Sequence, residues 1–323
     1  MDDKSLKRAG LIVNPRSGKS SGKGLRLVEM LKSKPSVSVR LLEKFEQLPS
    51  FLDDLVKEGV TDLFISSGDG TIQAIQTELA ERMPFNAIPR LSLLPHGTTN
   101  MTASDLGFCH RSLSAQAEYI GNLEPSHLRE RRTLRVVNPR DGKPRHGMFL
   151  GTGAAAEAAL FCQRAFNAKG VKGSWATFAT LAGAASRTMF TAPNPTDENR
   201  FDRPFPIHIT SEGRERCTGT QLMVLSTTLE KLILGTKPFW GGKSGPIRTT
   251  VLPYPVPSVP RWLLPMMYGG ENRKIPAGAL SFSASALAIT CPTSYVIDGE
   301  FFDGPEGTAL DVETGPVFTY LCG

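Results

Sequence analysis

The segment that decides the fold spans residues 63–72 and reads LFISSGDGTI. Its first three residues are wholly apolar, as is typical of a short strand buried on both faces of a parallel sheet. Two glycines then flank Asp69, and a helical pattern runs from Ile72 to about Arg82. A buried strand, a glycine-rich turn and a helix together predict one step of an α/β fold.

The residues on either side repeat this alternation. Three further strand-like runs lie at residues 9–13, 37–42 and 91–94. Helical spacing follows the first run between Gly24 and Lys34, and another helix is predicted from Ser50, as its N-cap, to Lys57. Four apolar strands separated by helices predict an N-terminal α/β domain with a parallel sheet covered on both faces.

The pattern changes beyond about residue 129. Six short β-like runs follow, at residues 134–137, 207–209, 222–225, 249–252, 287–289 and 295–297. Turn residues separate them, which predicts antiparallel β structure. A helical insertion of small apolar residues is predicted at about residues 154–190, and a proline-rich segment lies at 253–276. We therefore predict a second, β-rich domain and place the boundary near residue 129.

Composition and charge restrict the class of protein. The chain has 323 residues, enough for two domains, with 37 Lys and Arg against 31 Asp and Glu. This mild positive charge permits an anionic partner without requiring one. No secretory signal or membrane-spanning run occurs, and the five widely spaced cysteines contain no C-x-x-C pair. We expect a cytoplasmic protein, with any membrane contact peripheral at the inner membrane face, and no nucleic-acid partner, because no nucleic-acid-binding motif occurs. Nothing in the sequence indicates an oligomeric state.

Residues suited to binding a ligand follow three of the four predicted parallel strands. The three segments are Asn14-Pro15-Arg16-Ser17-Gly18, Ser67-Gly68-Asp69-Gly70-Thr71 and Gly97-Thr98-Thr99-Asn100. Ligands of open α/β sheets bind at these strand ends, where glycines let the backbone approach closely and a carboxylate can hold Mg²⁺. Taken singly, each segment can be an ordinary turn, with Asp69 as a helix cap. Three such segments at one sheet edge favour a ligand site.

A fourth segment, Ile297-Asp298-Gly299-Glu300, lies near the end of the β-rich part. Two carboxylates around a glycine can include a general base, which needs only to reach the proton of an acceptor hydroxyl. Asp-Gly is also a favoured pair in hairpin turns, and taken alone this segment is better interpreted as a hairpin.

Together, the four segments resemble the motifs of the diacylglycerol kinase catalytic-domain family, which includes bacterial diacylglycerol kinases and the sphingosine and ceramide kinases. The motifs occur in the family's order, as Asn14-Pro15-x-Ser17-Gly18, Gly68-Asp69-Gly70-Thr71, Pro95-x-Gly97-Thr98-Thr99-Asn100 and Asp298-Gly299-Glu300. The resemblance implies a nucleotide-binding α/β domain at residues 1–128 and a β-sandwich lipid-binding domain at 129–308, with residues 309–323 returning to the first domain. It also implies ATP- and Mg²⁺-dependent phosphorylation of a hydroxyl on a diacylglycerol-like or sphingoid lipid at a membrane surface.

Catalytic and binding roles are implied by matching motif positions. Glu300 matches the family's proton acceptor and Asp298 its neighbouring acid, while Asp69 would lie by the phosphates and hold the metal. The nucleotide would contact Asn14, Pro15, Arg16, Ser17, Gly18, Ser67, Gly68, Asp69, Gly70, Thr71, Gly97, Thr98, Thr99 and Asn100.

The sequence departs from the family pattern at four places. Ser67 replaces the first glycine of Gly-Gly-Asp-Gly-Thr, Met101 stands where an aspartate is usual, and Leu42 lies near the place of a common threonine. The turn at 243–248 lacks the acids that often hold a structural Mg²⁺, so we expect no structural metal there. Two alternatives therefore stay open: an NAD kinase-like enzyme, which shares Gly-Asp-Gly-Thr, and an inactive relative that binds lipid or nucleotide.

Overall fold

The chain forms two compact units. One comprises Met1–Thr133 with Gly315–Gly323, and the other comprises Leu134–Thr314. The computed structural model describes residues 8–17, 22–32, 34, 36–123, 127–157, 159–160, 191, 194, 200, 203–256, 259–270, 273–291 and 294–322.

A parallel sheet forms the centre of the first unit. Its strands are β1 (Ala9–Val13), β2 (Val37–Leu41), β3 (Asp62–Ser67), β4 (Arg90–Pro95) and the end of β15 (Leu310–Leu321), in the order β15-β4-β3-β1-β2. Every residue of β1 and β3 is buried, as the unbroken apolar runs predict. The end of β15 lies parallel to β4, with Tyr320 opposite Leu91.

Helices cover both faces of this sheet. They are α1 (Lys23–Leu31), α2 (Leu48–Lys57), α3 (Asp69–Glu81), α4 (Met101–Leu106) and α5 (Leu113–Asn122). On one face Leu11 and Phe64 share a core cluster with Leu27 of α1 and Ile120 of α5. Gly10 points to the other face, where a Cβ on it would lie 3.2 Å from the Leu55 side chain of α2. The α/β fold class predicted from the sequence is confirmed.

One predicted helix start is wrong. Ser50 is not the N-cap of α2, which begins two residues earlier, at Leu48. A short 3-10 turn (Phe45–Gln47) leads directly into the helix, and Pro49 fits its first turn because the missing N–H would have no partner there. The Ser50 hydroxyl instead donates to the Gln47 carbonyl oxygen, at 2.9 Å.

The second unit is built mostly from antiparallel strands, as predicted. They are β5 (Leu128–Val136), which begins in the first unit, β6 (Arg145–Gly147), β7 (Phe149–Gly153), β8 (Phe205–Ser211), β9 (Arg214–Thr227), β10 (Ile247–Pro253), β11 (Leu280–Ala284), β12 (Ala286–Thr290), β13 (Tyr295–Ile297), β14 (Glu300–Phe302) and the first part of β15. Strand β9 is antiparallel to β7, β8 and β10, and β13 pairs with both β7 and β14. Residues from these strands, including Leu150, Val224 and Ile289, form one buried core cluster.

The proline-rich segment contains a helix, α6 (Val259–Tyr268), that the sequence pattern does not predict. Pro260 is tolerated in its first turn, and Pro265 lies inside it. The predicted helical insertion at 154–190 lies largely outside the described residues, as does Gly18. None of the described helices is long and apolar enough to cross a membrane.

Candidate active site

Three of the strand-end segments begin side by side. Val13 of β1 pairs with Ser66 of β3, and Ser66 pairs in turn with Leu94 of β4. Because the strands are parallel and in this register, the segments that follow them leave the sheet at the same edge.

Asn14 joins the first segment to the second. Its backbone N–H donates to the Ser66 carbonyl oxygen at 3.1 Å, and its Nδ2 donates to the Thr71 Oγ1 at 2.9 Å. Its Oδ1 accepts the backbone N–H of Arg16 at 2.9 Å, and its carbonyl oxygen accepts the N–H of Ser17 at 3.1 Å. The turn through Pro15, Arg16 and Ser17 is therefore fixed against the start of α3.

The second and third segments touch through two glycines. A Cβ on Gly97 would lie 2.2 Å from the Gly68 Cα, so only glycine fits this position. Asn100 closes the third segment, because its Oδ1 accepts the Gly97 N–H at 2.8 Å and its Nδ2 donates to the Gly97 carbonyl oxygen at 2.9 Å. Thr98 and Thr99 are left exposed at the tip of this loop.

Asp69 lies buried at the start of α3 and caps the neighbouring helix α4. Its two carboxylate oxygens accept the backbone N–H groups of Met101, at 3.0 Å, and Thr102, at 3.3 Å. Burial raises the pKa of the Asp69 carboxyl, and these hydrogen bonds oppose the rise. Asp69 therefore caps a helix, but that helix is α4 and not the one that begins at its own turn, whose N-cap is Gly68. Each oxygen keeps a further lone pair, so capping leaves room for a metal ligand.

The donors near Asp69 fit a magnesium ion that arrives with a nucleotide. Mg²⁺ is usually held by one or two carboxylates together with substrate phosphates and waters. No group of three or more His, Cys, Asp or Glu side chains arranged to hold a metal occurs in the described part of the chain. A single carboxylate beside Gly68 and Gly70 can supply one ligand to an ion that is otherwise held by phosphates and waters.

Serine hydroxyl groups close the acid-free turn at 243–248. The Ser244 N–H donates to the Ser283 Oγ at 2.9 Å, and the Ser244 Oγ donates to the Ser283 carbonyl oxygen at 2.9 Å. A Cβ on Gly245 would lie 2.2 Å from the backbone of Ala284. Hydrogen bonds and close backbone packing thus hold this turn.

A cavity of about 630 Å³ opens beside the first segment. Asn14 and Arg16 line one side, and the residues that follow β2 line the other, namely Leu42, Glu43, Lys44, Phe45 and Glu46. Sequence analysis singled out Leu42 but missed the four residues after it. The register of β1 with β2 is what identifies these four residues. Val13 pairs with Leu41, which brings the segment after β2 next to Asn14.

His96 forms a buried hydrogen-bonded chain that sequence analysis also missed. The Gln116 Nε2 donates to the His110 carbonyl oxygen at 3.0 Å, so its Oε1 is left to accept the His96 Nε2–H, also at 3.0 Å. His96 Nδ1 must then accept the Ser66 hydroxyl, at 2.8 Å. Burial is the main cause that lowers the pKa of His96 to about 4. This row of hydrogen bonds links His96, the residue before Gly97, to Ser66 at the end of β3.

The fourth segment is a hairpin, as its sequence taken alone predicts. Ile297 pairs with Glu300, and Asp298 and Gly299 form the turn with φ of 48° and 90°. These angles are those of the tight hairpin turn that Asp-Gly favours.

The two acids of this hairpin differ in their environment. Asp298 is buried, and its oxygens accept the backbone N–H groups of Met148 and Phe149, both at 2.9 Å. Glu300 is exposed at the start of β14, and no hydrogen bond or ion pair to its carboxylate occurs within the described residues. Desolvation of the carboxyl, though only partial, raises the pKa of Glu300. Asp298 is thus held in place by the backbone, whereas Glu300 can accept a proton.

The fold and these loops define an α/β domain with a candidate ligand site at its strand ends. Residues 8–129 match the family model of the diacylglycerol kinase catalytic domain, so the family resemblance is confirmed over these residues. A search of curated proteins returns no significant match.

Two solved structures share the fold over nearly the whole chain. One is a diacylglycerol kinase from Bacillus anthracis str. Sterne, with 18% identity, a TM-score of 0.61 and coverage of 98% of this chain and 97% of that one. The other, described as a putative diacylglycerol kinase from the same organism, has 17% identity, a TM-score of 0.67 and coverage of 100% and 98%. At this identity the likeness concerns the fold.

Proposed function

We propose that this chain is a lipid kinase, which transfers the γ-phosphoryl group of ATP to a hydroxyl of a diacylglycerol-like or sphingoid lipid. The observation that carries the proposal is the contact between the three strand-end loops, made by Gly97 against Gly68 and by Asn14 with Thr71. These loops lie within the residues that match the diacylglycerol kinase catalytic domain.

Nucleotide binding is assigned to the three loops and the adjacent cavity. The close approach of Gly68 and Gly97 leaves no side chain between their backbones, which suits contact with phosphate oxygens. The N-cap of helix α3 is Gly68, which has no side chain to cap the first N–H groups, so the helix N-terminus is suited to an anion. The exposed Arg16 and the hydroxyls of Thr98 and Thr99 add donors at the same edge. The cavity volume of about 630 Å³ lies within the range usual for pockets that bind small molecules and cofactors.

Asp69 is the residue that would hold Mg²⁺. When bound, the ion neutralises charge on the phosphates of ATP. Through its hydrogen bonds to α4, Asp69 also fixes the backbone at Met101, so one carboxylate both positions the third loop and supplies metal-binding oxygen.

The proton of the lipid hydroxyl is assigned to Glu300. As the acceptor oxygen forms its bond to the γ-phosphorus, the bond from that phosphorus to the oxygen of ADP breaks, and the hydroxyl proton passes to the Glu300 carboxylate. The raised pKa of Glu300 makes its carboxylate a stronger base than an ordinary glutamate. Asp298 acts as a positioning residue, because its carboxylate holds the hairpin on the backbone of Met148 and Phe149.

The test is transfer from labelled ATP, with Mg²⁺, onto a panel of diacylglycerol, monoacylglycerol, ceramide, sphingosine, phosphatidylglycerol and NAD, each lipid dispersed in detergent micelles. We expect label in at least one lipid, and transfer to that lipid should fall by orders of magnitude in the Glu300→Gln variant. Label in NAD alone would establish the NAD kinase-like alternative instead. ATP binding without transfer to any acceptor would favour the inactive relative, for which Met101 is the motivating departure.

A further inference from the structure

Four large apolar side chains of the second unit are exposed within two segments. Ile233 and Leu234 lie in a short turn, and Leu264 and Tyr268 lie on α6. Leu234 is 84% exposed and Leu264 is 66% exposed, which places both among the most exposed large apolar residues described. We call these four residues the apolar patch.

Hydrogen bonds fix the two segments of the apolar patch to each other. The Tyr268 hydroxyl donates to the Leu234 carbonyl oxygen at 3.4 Å, and the Lys237 N–H donates to the Met267 carbonyl oxygen at 2.7 Å. The Arg273 guanidinium also bonds the carbonyl oxygens of Met266 and Lys237. The patch is therefore one continuous and anchored surface.

Helix α6 has one face on the core and one face in solvent. Met266 is buried in the core cluster of the second unit. Leu264 and Tyr268 are four residues apart and so share a face, which Arg261 extends by one turn. This outer face is apolar where a solvated helix face is normally polar.

The backbone of the turn holds Leu234 outward at a cost. Leu234 has φ of 56°, the left-handed region, which a branched residue rarely adopts. Glycine or asparagine would be favoured there in a turn whose only role is to connect two segments. The structure thus carries a strained leucine that makes little contact with its own protein.

The same part of the chain contains most of its net positive charge. Residues 230–274 include seven Lys and Arg against two Glu, a net charge of +5 in a chain whose total is +6. Lys237 and Arg261 are exposed next to the apolar patch, and the Arg261 guanidinium lies 5.3 Å from the centre of the Trp262 ring. Exposed leucines, Trp and Tyr rings and basic side chains together are the composition of a surface that lies in the interface of an anionic membrane.

We propose that the apolar patch and the basic residues around it dock this chain on an anionic lipid bilayer, with Leu234 and Leu264 inserted among the acyl chains. The purpose of this docking rests on the proposed lipid kinase function, because docking would bring the chain to an acceptor lipid in the membrane. Membrane binding itself needs neither ATP nor phosphoryl transfer.

The experiment is flotation of the whole chain, without ATP, with vesicles of phosphatidylcholine alone or of equal parts phosphatidylglycerol and phosphatidylcholine. We expect binding to the phosphatidylglycerol vesicles that weakens with added salt. The Leu234→Ser/Leu264→Ser variant should bind about a hundredfold more weakly, about tenfold for each leucine. Lys237→Gln/Arg261→Gln should lose much of the preference for phosphatidylglycerol, by about fivefold for each charge.

Met83→Ser is the matched control, because Met83 is also an exposed apolar residue at positive φ but lies in the first unit. It should bind vesicles as the wild type does. Equal binding by the wild type and the Leu234→Ser/Leu264→Ser variant would overturn the proposal, as would failure of the folded wild type to bind either vesicle. A shift of the variant from dimer to monomer in sedimentation, with vesicle binding unchanged, would show a self-association face instead.

Transfer to the micelle-dispersed lipids separates this inference from the proposed function. The Leu234→Ser/Leu264→Ser variant should phosphorylate a micellar lipid at the wild-type rate and lose activity only on vesicles. If the wild type transfers nothing to any micellar lipid but binds vesicles through the apolar patch, the kinase proposal fails and the docking surface stands.

Discussion

The Cα of Gly68 lies so near Gly97 that a Cβ on Gly97 would approach it to 2.2 Å. This contact joins the turn at the end of β3 to the turn at the end of β4. A side chain on Gly97 would push the two loops apart, whereas a Cβ on Gly68 would lie at an ordinary contact distance of 3.4 Å from the Gly97 Cα. The geometry of the candidate nucleotide site thus depends on two residues that have no functional groups of their own.

We therefore predict that Gly97→Ala abolishes ATP binding. The new methyl group meets backbone, which cannot rotate away, so the loops must separate and the free energy of unfolding should fall by about 1–3 kcal/mol. Isothermal titration with ATP and Mg²⁺, together with urea unfolding, measures both effects. Gly304→Ala is the control, because a Cβ there meets nothing within 4 Å. Normal ATP affinity in Gly97→Ala would show that the loop contact is not needed.

Asp69→Asn should separate the metal-binding role of Asp69 from its helix-capping role. Burial raises the pKa of Asp69, so ionisation of its carboxyl destabilises the fold. This destabilisation is absent below the ordinary pKa of 3.8 and grows as the pH rises through the pKa of the folded state. A neutral amide removes this destabilisation, which offsets the loss of one of the two acceptors that Asp69 offers to the N–H groups of α4. We expect activity to fall by orders of magnitude while unfolding at neutral pH changes by less than about 1 kcal/mol.

The measurements are labelled-phosphate transfer and thermal melting at neutral pH. Wild-type turnover in Asp69→Asn would mean that Asp69 only caps α4. A large loss of stability would mean that both carboxylate oxygens are needed for the fold, and that the variant does not report on the metal.

The parallel sheet and its loops could be predicted from sequence because each signal is local. The apolar run at residues 63–65 is short and unbroken, and the glycines on both sides of Asp69 mark the turn directly. The Asp69 carboxylate was harder to interpret, because its partners, the N–H groups of Met101 and Thr102, lie more than thirty residues away.

Other features depend on contacts that no local pattern records. His96 lies between Pro95 and Gly97, and only the fold brings Ser66 and Gln116 to its two ring nitrogens. Helix α6 was missed because its two prolines disfavour a helix, whereas packing of Met266 into the core stabilises one. The roles of Asp298 and Glu300 could not be separated by spacing, because their difference lies in the backbone of Met148 and Phe149.

Substitutions in the fourth segment should separate the proton acceptor from the positioning residue. Glu300→Gln should strongly reduce phosphoryl transfer while leaving ATP affinity and melting temperature unchanged, because the Glu300 side chain is exposed and has no partner among the described residues. Asp298→Asn should lower the free energy of unfolding by about 1–3 kcal/mol, because its amide NH₂ would face a backbone N–H where an oxygen now accepts. A stable, inactive Asp298→Asn with a fully active Glu300→Gln would reverse the assignment.

The pH dependence of transfer should show the titration of Glu300. A base works only when ionised, and partial desolvation raises the pKa of Glu300 above its ordinary value of 4.5. Activity should therefore fall as the pH is lowered through a value above 4.5, at a pH where the protein is still folded by circular dichroism. The residual activity of Glu300→Gln should lack this acidic limb. If the activity of both proteins falls at the same acidic pH, the titrating group is not Glu300.

The last prediction concerns His96 and the stability of the first unit. In the folded chain His96 is neutral, because burial lowers its pKa to about 4 from the ordinary value of 6.5. Between these two values the unfolded chain binds the proton more readily, so stability should be complete above pH 6.5 and decline as the pH falls towards 4. The decline should reach about 3 kcal/mol by the lower limit. Urea unfolding of the wild type and of His96→Gln across this range measures it. The glutamine variant keeps a donor and an acceptor but cannot titrate, so its profile should be flatter by this amount. Parallel profiles would show that His96 does not hold the buried chain from Ser66 to Gln116 in its neutral form, and that the acid sensitivity of the first unit arises elsewhere.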